Sequence, residues 1–275
     1  MRVKLAKFVA VTLAVATVVA WLWAAVLRGL FQRYTSGERP GQFRGWLDAD
    51  LLDDYGPVFV IAHNAGDNAE TARTALEQRA DAVEIDVIMV VGRLYAAHAT
   101  PPKLIDAWFF RGPKLEDAWE VVCDSDAVAL DLKDSSPGYV NALVRFLDDR
   151  PHPQVLLSSR DIDSLIELGE RLPNAHLYLS MPDRETFERL ATDEGRALLL
   201  DGVSMRHSHI DEAVVGWLKT RRLRLIAWTV NDLTTVNRLV RMGVDGVTTD
   251  NLAIIELLGG RQREEPLLRR DEGWG

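Results

Sequence analysis

The chain has almost no cysteine. Cys123 is the only one in 275 residues, which excludes an intrachain disulfide and a cysteine-based zinc site. It is also short of positive charge: 32 Lys and Arg stand against 41 Asp and Glu, a net of −9. The shortage is uneven. Residues 1–44 carry seven basic residues and only Glu38, a net of +6, which leaves −15 on the rest. A body that acidic repels phosphate backbones and argues against general nucleic-acid binding. It is compatible with a divalent cation held by carboxylates. The N-terminal region also lacks a clear small-x-small cleavage site after its apolar run.

That run is Phe8–Leu27, "FVAVTLAVATVVAWLWAAVL", 20 residues without a charge between Lys7 and Arg28. Its length spans a bilayer as a helix, and Trp21 and Trp23 suit an interfacial end. It exceeds a usual signal-peptide core, so residues 1–33 read as an uncleaved membrane anchor rather than a removed leader. Basic residues flank both ends, which leaves the side of the membrane open. Residues 34–57 mix Gly, Pro and charge without period and read as a linker. Residues 260–275 read as a charged, disordered tail.

Between them the chain alternates short β-rich apolar runs with stretches of helical period. Strands are expected at 58–62, 82–90, 127–133, 154–159, 175–181, 202–205, 224–230 and 246–250. Helices are expected at about 68–80, 114–122, 137–149, 161–172, 183–196, 211–221, 232–242 and 252–258. Asp183 and Asp232 stand where N-caps belong, and Gly243 where a C-cap belongs. Eight evenly spaced units favour an α/β fold of the (β/α)8 TIM barrel type over 58–259, preceded by the transmembrane helix; a doubly wound sheet is the rival.

Polar residues gather at the ends of the early strands. His63 follows the first. Glu84 and Asp86 are an i, i+2 pair on the second and share one face; Asp131 and Lys133 repeat the pattern on the third. Three carboxylates on adjacent strands are oxygen ligands suited to one Mg²⁺ or Ca²⁺. His98 ends "GRLYAAH", a short hairpin returning from the second strand, and faces the same mouth as His63. Two histidines there suit general acid–base work, and Lys133 suits a phosphoryl oxygen. "RHSH" (206–209) reads as a polar loop rather than a second metal site. Asp250 and Asn251 read either as substrate contacts or as caps of the last helix.

Taken together, "IAH", "VEIDV", the following His98, "LDLK", "AWTVND" and "GVDGVTTDNL" resemble the glycerophosphodiester phosphodiesterase superfamily over about residues 58–255. The resemblance implies a TIM barrel, one divalent metal, and cleavage of a glycerophosphodiester or related (lyso)phospholipid. It implies His63 and His98 as the catalytic pair; His63 is taken as base and His98 as acid, an order that the sequence itself leaves open. It further implies Glu84, Asp86 and Asp131 as metal ligands, Lys133 on the phosphate and Trp228 lining the pocket. Asn64 stands where the family usually carries a phosphate-binding Arg. His98-Ala99 replaces a usual His-Asp, and the segment after it is short. These departures are similar to the sphingomyelinase D-like branch, whose products include a cyclic phosphate. A catalytically silent, membrane-tethered barrel is the other alternative. The short segment holds Trp108, Phe109 and Phe110, expected either as a lipid-facing lip at the mouth or as packing.

Overall fold

A computed structural model describes residues 58–101 and 110–259. The proposed anchor (1–33), the linker (34–57), Trp108, Phe109 and the tail (260–275) lie outside the described residues. Among the described residues, no helix is long and apolar enough to cross a membrane.

The strands are β1 (Phe59–Ala62), β2 (Ala82–Val90), β3 (Arg93–Ala96), β4 (Ala127–Leu132), β5 (Val155–Ser159), β6 (Ala175–Met181), β7 (Gly202–Arg206), β8 (Arg224–Trp228) and β9 (Gly246–Thr249). All but β3 run parallel, in the order β1-β9-β8-β7-β6-β5-β4-β2, and β1 pairs with β2 to close the ring. This is the eight-stranded barrel expected from the alternation of strand and helix. β3 is the return arm of the expected hairpin, antiparallel to the upper end of β2.

The helices are α1 (Ala69–Glu77), α2 (Leu115–Val122), α3 (Pro137–Asp148), α4 (Ile162–Arg171), α5 (Arg184–Ala191), α6 (Glu194–Ala197), α7 (Glu212–Thr220), α8 (Leu233–Met242) and α9 (Leu252–Leu258). The helix expected over 183–196 is two helices. Asp193 breaks it, leaving helical dihedrals and accepting a bond from the Arg196 N–H as the cap of α6. Asp183 and Asp232 cap α5 and α8 through the N–H groups of Thr186 and Thr235, as their positions predict. Gly243 ends α8 with φ 87°, a conformation that favours glycine.

Strand alternation sorts the side chains. Val83, Ile85, Val128, Leu130, Leu157, Val203 and Leu225 face outward into the main core under the helices. Phe59, Ile61, Ala82, Ala129, Leu156, Tyr178 and Ile226 face inward and plug the barrel. Small alanines on β2 and β4 leave room for the Tyr178 and Phe59 rings, so the interior is filled rather than open. Continuing the same parity upward brings His63, Glu84, Asp86, Asp131, Lys133, Trp228 and Asp250 to the inward side at the C-terminal ends of the strands.

Candidate active site

The first histidine is positioned from both sides. The His63 N–H donates to the Thr249 carbonyl at 2.9 Å, tying the end of β1 to the end of β9. That places the ring nitrogen Nδ1, which donates to the Asp250 carboxylate, at 2.7 Å from Oδ1. Asp250 is itself held: Asn231 Nδ2 donates to Oδ2 at 2.8 Å, and the Asp250 N–H donates to Asn231 Oδ1 at 2.9 Å. Nε2 of His63 is left facing inward, 4.0 Å from Glu84 Oε2. Of the two expectations for Asp250 and Asn251, the cap holds for Asn251, which caps α9 through the Ala253 N–H; Asp250 instead holds the His63 ring.

After His63 the chain turns sharply. Asn64 adopts φ 48°, ψ 15°, a left-handed conformation that Asn tolerates better than most residues. Its N–H donates to Glu84 Oε2 at 3.2 Å. Its side-chain amide nitrogen, in the orientation that satisfies both ends, faces Asp86 at 3.0 and 3.1 Å. The position expected to touch phosphate is thus engaged with two carboxylates. A 3-10 turn, Ala65–Asp67, follows. A Cβ on Gly66 would lie 2.9 Å from the Glu84 carbonyl oxygen and inside the Ile85 side chain, so only glycine lets the turn lie against β2. Asp67, buried below it, accepts the Asp86 N–H at 2.9 Å. Sequence reasoning passed over Asp67; an acid in a run of small residues was the available signal.

Asp86 and Asp131 are register partners on β2 and β4. Lys133 Nζ donates to both, at 3.0 Å from Asp86 Oδ1 and in close contact with Asp131 Oδ2. Ser158 Oγ adds a bond to Asp131 Oδ1 at 3.2 Å. The second histidine arrives by the hairpin. The Ala97 N–H donates to the Asp86 carbonyl at 2.8 Å, and His98 Nδ1 then reaches Asp86 Oδ2 at 2.6 Å. The His98 side chain is 60% exposed while Asp86 is fully buried. Phe110 is not part of a lip. It is buried with Ile88, Val90 and Ala97, edge-on to Tyr95 at 5.0 Å. His207 and His209 form a 3-10 turn after β7, as a connecting loop would.

The charges explain the proton affinities. Burial alone lowers the His63 pKa, but the Asp250 hydrogen bond and the Glu84 charge outweigh it and raise it to about 9. Burial raises Glu84 to about 7; His63 opposes that shift, and Asp131 and Asp86 add to it. Burial also raises Asp131, against the pull of Lys133. Asp67 stands well above the usual carboxylate range through burial and the Asp86 charge. Asp86 is buried too, yet its bonds to His98 and Lys133 hold it below that range.

Glu84, Asp86 and Asp131 are therefore a donor set with surplus negative charge, and their chemistry fits a hard divalent cation. Their arrangement differs from the ligand trio expected from sequence. Among the described residues, no three His, Cys, Asp or Glu side chains converge as ligands. The Lys133 ammonium bridges Asp86 and Asp131 instead.

Trp228, at the end of β8, is half-buried at the mouth, and its Nε1–H is buried without an acceptor. Leaving such a donor unmet costs about 1–3 kcal/mol.

The model of the glycerophosphoryl diester phosphodiesterase family matches residues 109–254. YhdW of Bacillus subtilis (strain 168), assigned by name to the glycerophosphodiester phosphodiesterases, is 32% identical over 80 residues. That match spans 27% of this chain and only 33% of YhdW. Among solved structures, a phosphodiesterase of Oleispira antarctica in complex with the product sn-glycerol-3-phosphate superposes with a TM-score of 0.60 at 21% identity. The superposition covers 74% of this chain and 96% of that one. A glycerophosphodiester phosphodiesterase of Thermotoga maritima gives 0.55 at 21% identity, covering 73% and 96%. Both likenesses concern the fold.

Proposed function

The chain belongs to the glycerophosphoryl diester phosphodiesterase family, and we propose that it cleaves the phosphodiester of a glycerophosphodiester or a related (lyso)phospholipid. The observation that carries this reading is the pair of carboxylate-held histidines, His63 on Asp250 and His98 on Asp86, beside one lysine in a barrel mouth. In the reaction, an oxygen nucleophile adds to phosphorus, the bond from phosphorus to the alcohol oxygen breaks, and a proton passes to that alcohol. One histidine accepts the nucleophile's proton and the other supplies the alcohol's.

With its pKa raised to about 9 by the Asp250 bond and the Glu84 charge, His63 holds its proton at neutral pH. The base role expected of it requires that proton to leave, and neutralising the Glu84 charge lowers its hold. Lys133 supports negative charge on the phosphoryl oxygens. Trp228 presents its ring to the substrate.

A divalent cation, Mg²⁺ or Ca²⁺, belongs to this reading: Glu84, Asp86 and Asp131 would hold it, and it would polarise a phosphoryl oxygen. The uncharged run Phe8–Leu27 supports a membrane anchor that brings the barrel near phospholipid-derived substrate.

Phosphorus NMR of glycerophosphodiesters incubated with the protein tests the reading. The expected product is glycerol phosphate, formed by the wild type and not by His63→Ala. A cyclic phosphate instead would move the chain to the sphingomyelinase D-like chemistry. No turnover of any phosphodiester with metal supplied would leave a silent barrel.

A further inference from the structure

The strand register puts an arginine on the rim opposite the acids. Arg206 is the last residue of β7 and pairs with Trp228 of β8. It shares the inward parity of Gly202 and Ser204, whereas Val203 and Met205 face the helices. Its guanidinium carbon lies 5.1 Å from the centre of the Trp228 ring. Arg206 is exposed, and among the described residues no carboxylate pairs with it. The neighbouring Trp228 Nε1–H also lacks an acceptor. The other basic side chains of the mouth differ: His63, His98 and Lys133 are each engaged by Asp or Glu. One exposed cation on this rim therefore stands without an acceptor, beside an indole ring.

We propose that Arg206 and Trp228 form a subsite for a second anionic group on the substrate, so that diesters whose head group carries its own phosphate are preferred over those ending in a quaternary ammonium. The proposal rests on the phosphodiesterase reading above. A guanidinium presents a planar fork that matches phosphate oxygens in pairs. Stacking on the indole holds that fork in place. A quaternary ammonium meets the reverse situation. The tryptophan face that would attract it is already covered by a cation, and the two positive charges repel. The subsite also places a cation at the mouth from β7, in a chain whose position 64 carries a neutral amide.

The test compares kcat/KM of the full-length protein on deacylated cardiolipin, which carries a second phosphate, and on glycerophosphocholine. Wild type is expected to prefer the first by about tenfold or more, the factor that one good charge-assisted contact supplies. Arg206→Gln should remove most of that preference, chiefly through KM on the phosphate-bearing diester, and Arg206→Lys should restore part of it. Hydrolysis of both substrates without preference overturns the subsite. So does an Arg206→Gln variant that lowers both substrates by the same factor, which marks a structural role. Hydrolysis of neither substrate, metal supplied, overturns the phosphodiesterase reading and the subsite with it.

Discussion

The two ends of the barrel use the same residue type for opposite purposes. At the bottom, Asp81, Asp201 and Asp245 each stand one residue before a strand, and each accepts the N–H of a residue on a neighbouring strand. The partners are Val60 at 2.7 Å, Leu177 at 2.8 Å and Leu225 at 2.8 Å. These acids are spread around the ring, on three separate strands. Each satisfies a backbone donor that the parallel ladder leaves over. At the top, Glu84, Asp86 and Asp131 crowd onto two adjacent strands within one another's field. Their partners include His63, His98 and Lys133, side chains that carry or exchange protons. The difference teaches that a buried carboxylate marks chemistry when its neighbours are other carboxylates and titratable cations. One bonded to a neighbouring strand's backbone, away from other carboxylates, marks architecture.

The sharpest break between the two ends is in activity. His63→Ala and His98→Ala should each lower kcat by about 10²- to 10⁴-fold, read as glycerol phosphate release, while the circular dichroism spectrum stays that of wild type. A fall of less than threefold for either would remove that histidine from the chemistry. Next comes the cation. Mg²⁺ or Ca²⁺ at about a hundred times its Kd should raise the unfolding free energy by about 2.7 kcal/mol, and a chelator should stop turnover. Unchanged melting together with chelator-resistant activity would take the metal out of the reading.

The bottom end should respond in the other currency. Asp81→Ala leaves the buried Val60 N–H unmet and should cost about 1–3 kcal/mol in denaturant unfolding, with kcat within a few-fold of wild type. A loss of kcat as large as that of the histidine variants would erase the contrast. The smallest effect is electrostatic. Asp250→Asn should lower the His63 pKa from about 9, followed by the ring proton shifts in NMR. Because the folded value lies above the unfolded 6.5, the bound proton stabilises the fold fully below pH 6.5, and that contribution is lost as the pH rises through 9. The stability gap between wild type and Asp250→Asn should therefore narrow between those limits. A gap independent of pH would mean that Asp250 does not hold the proton on His63.

Much of this molecule is legible locally. The run 82–90 alternates and carries β-branched residues, and it is a strand over that whole length. Asp183, Asp232 and Gly243 cap helices because capping involves only the next few residues. The i, i+2 spacing of Glu84 with Asp86, and of Asp131 with Lys133, put each pair on one face before any fold was known. The helix expected over 183–196 is split in two because Asp193 reads equally as a solvated helix residue and as a cap. For Phe110 the structure decided between lip and packing in favour of packing, because an aromatic run does not reveal which ring meets a hairpin.

By itself the sequence determined the strand–helix alternation, the inward parity of the site residues and the motifs of the family. These depend on contacts a few residues apart. The tertiary structure decided the partners. His63 and Asp250 are 187 residues apart and meet only because β9 pairs with β1 in the barrel. Lys133 is set between Asp86 and Asp131, and Arg206 against Trp228, by the register of neighbouring strands. Proton affinity follows from those meetings, since it depends on burial and on charges brought within a few ångströms. Neither is a property of the order of residues along the chain.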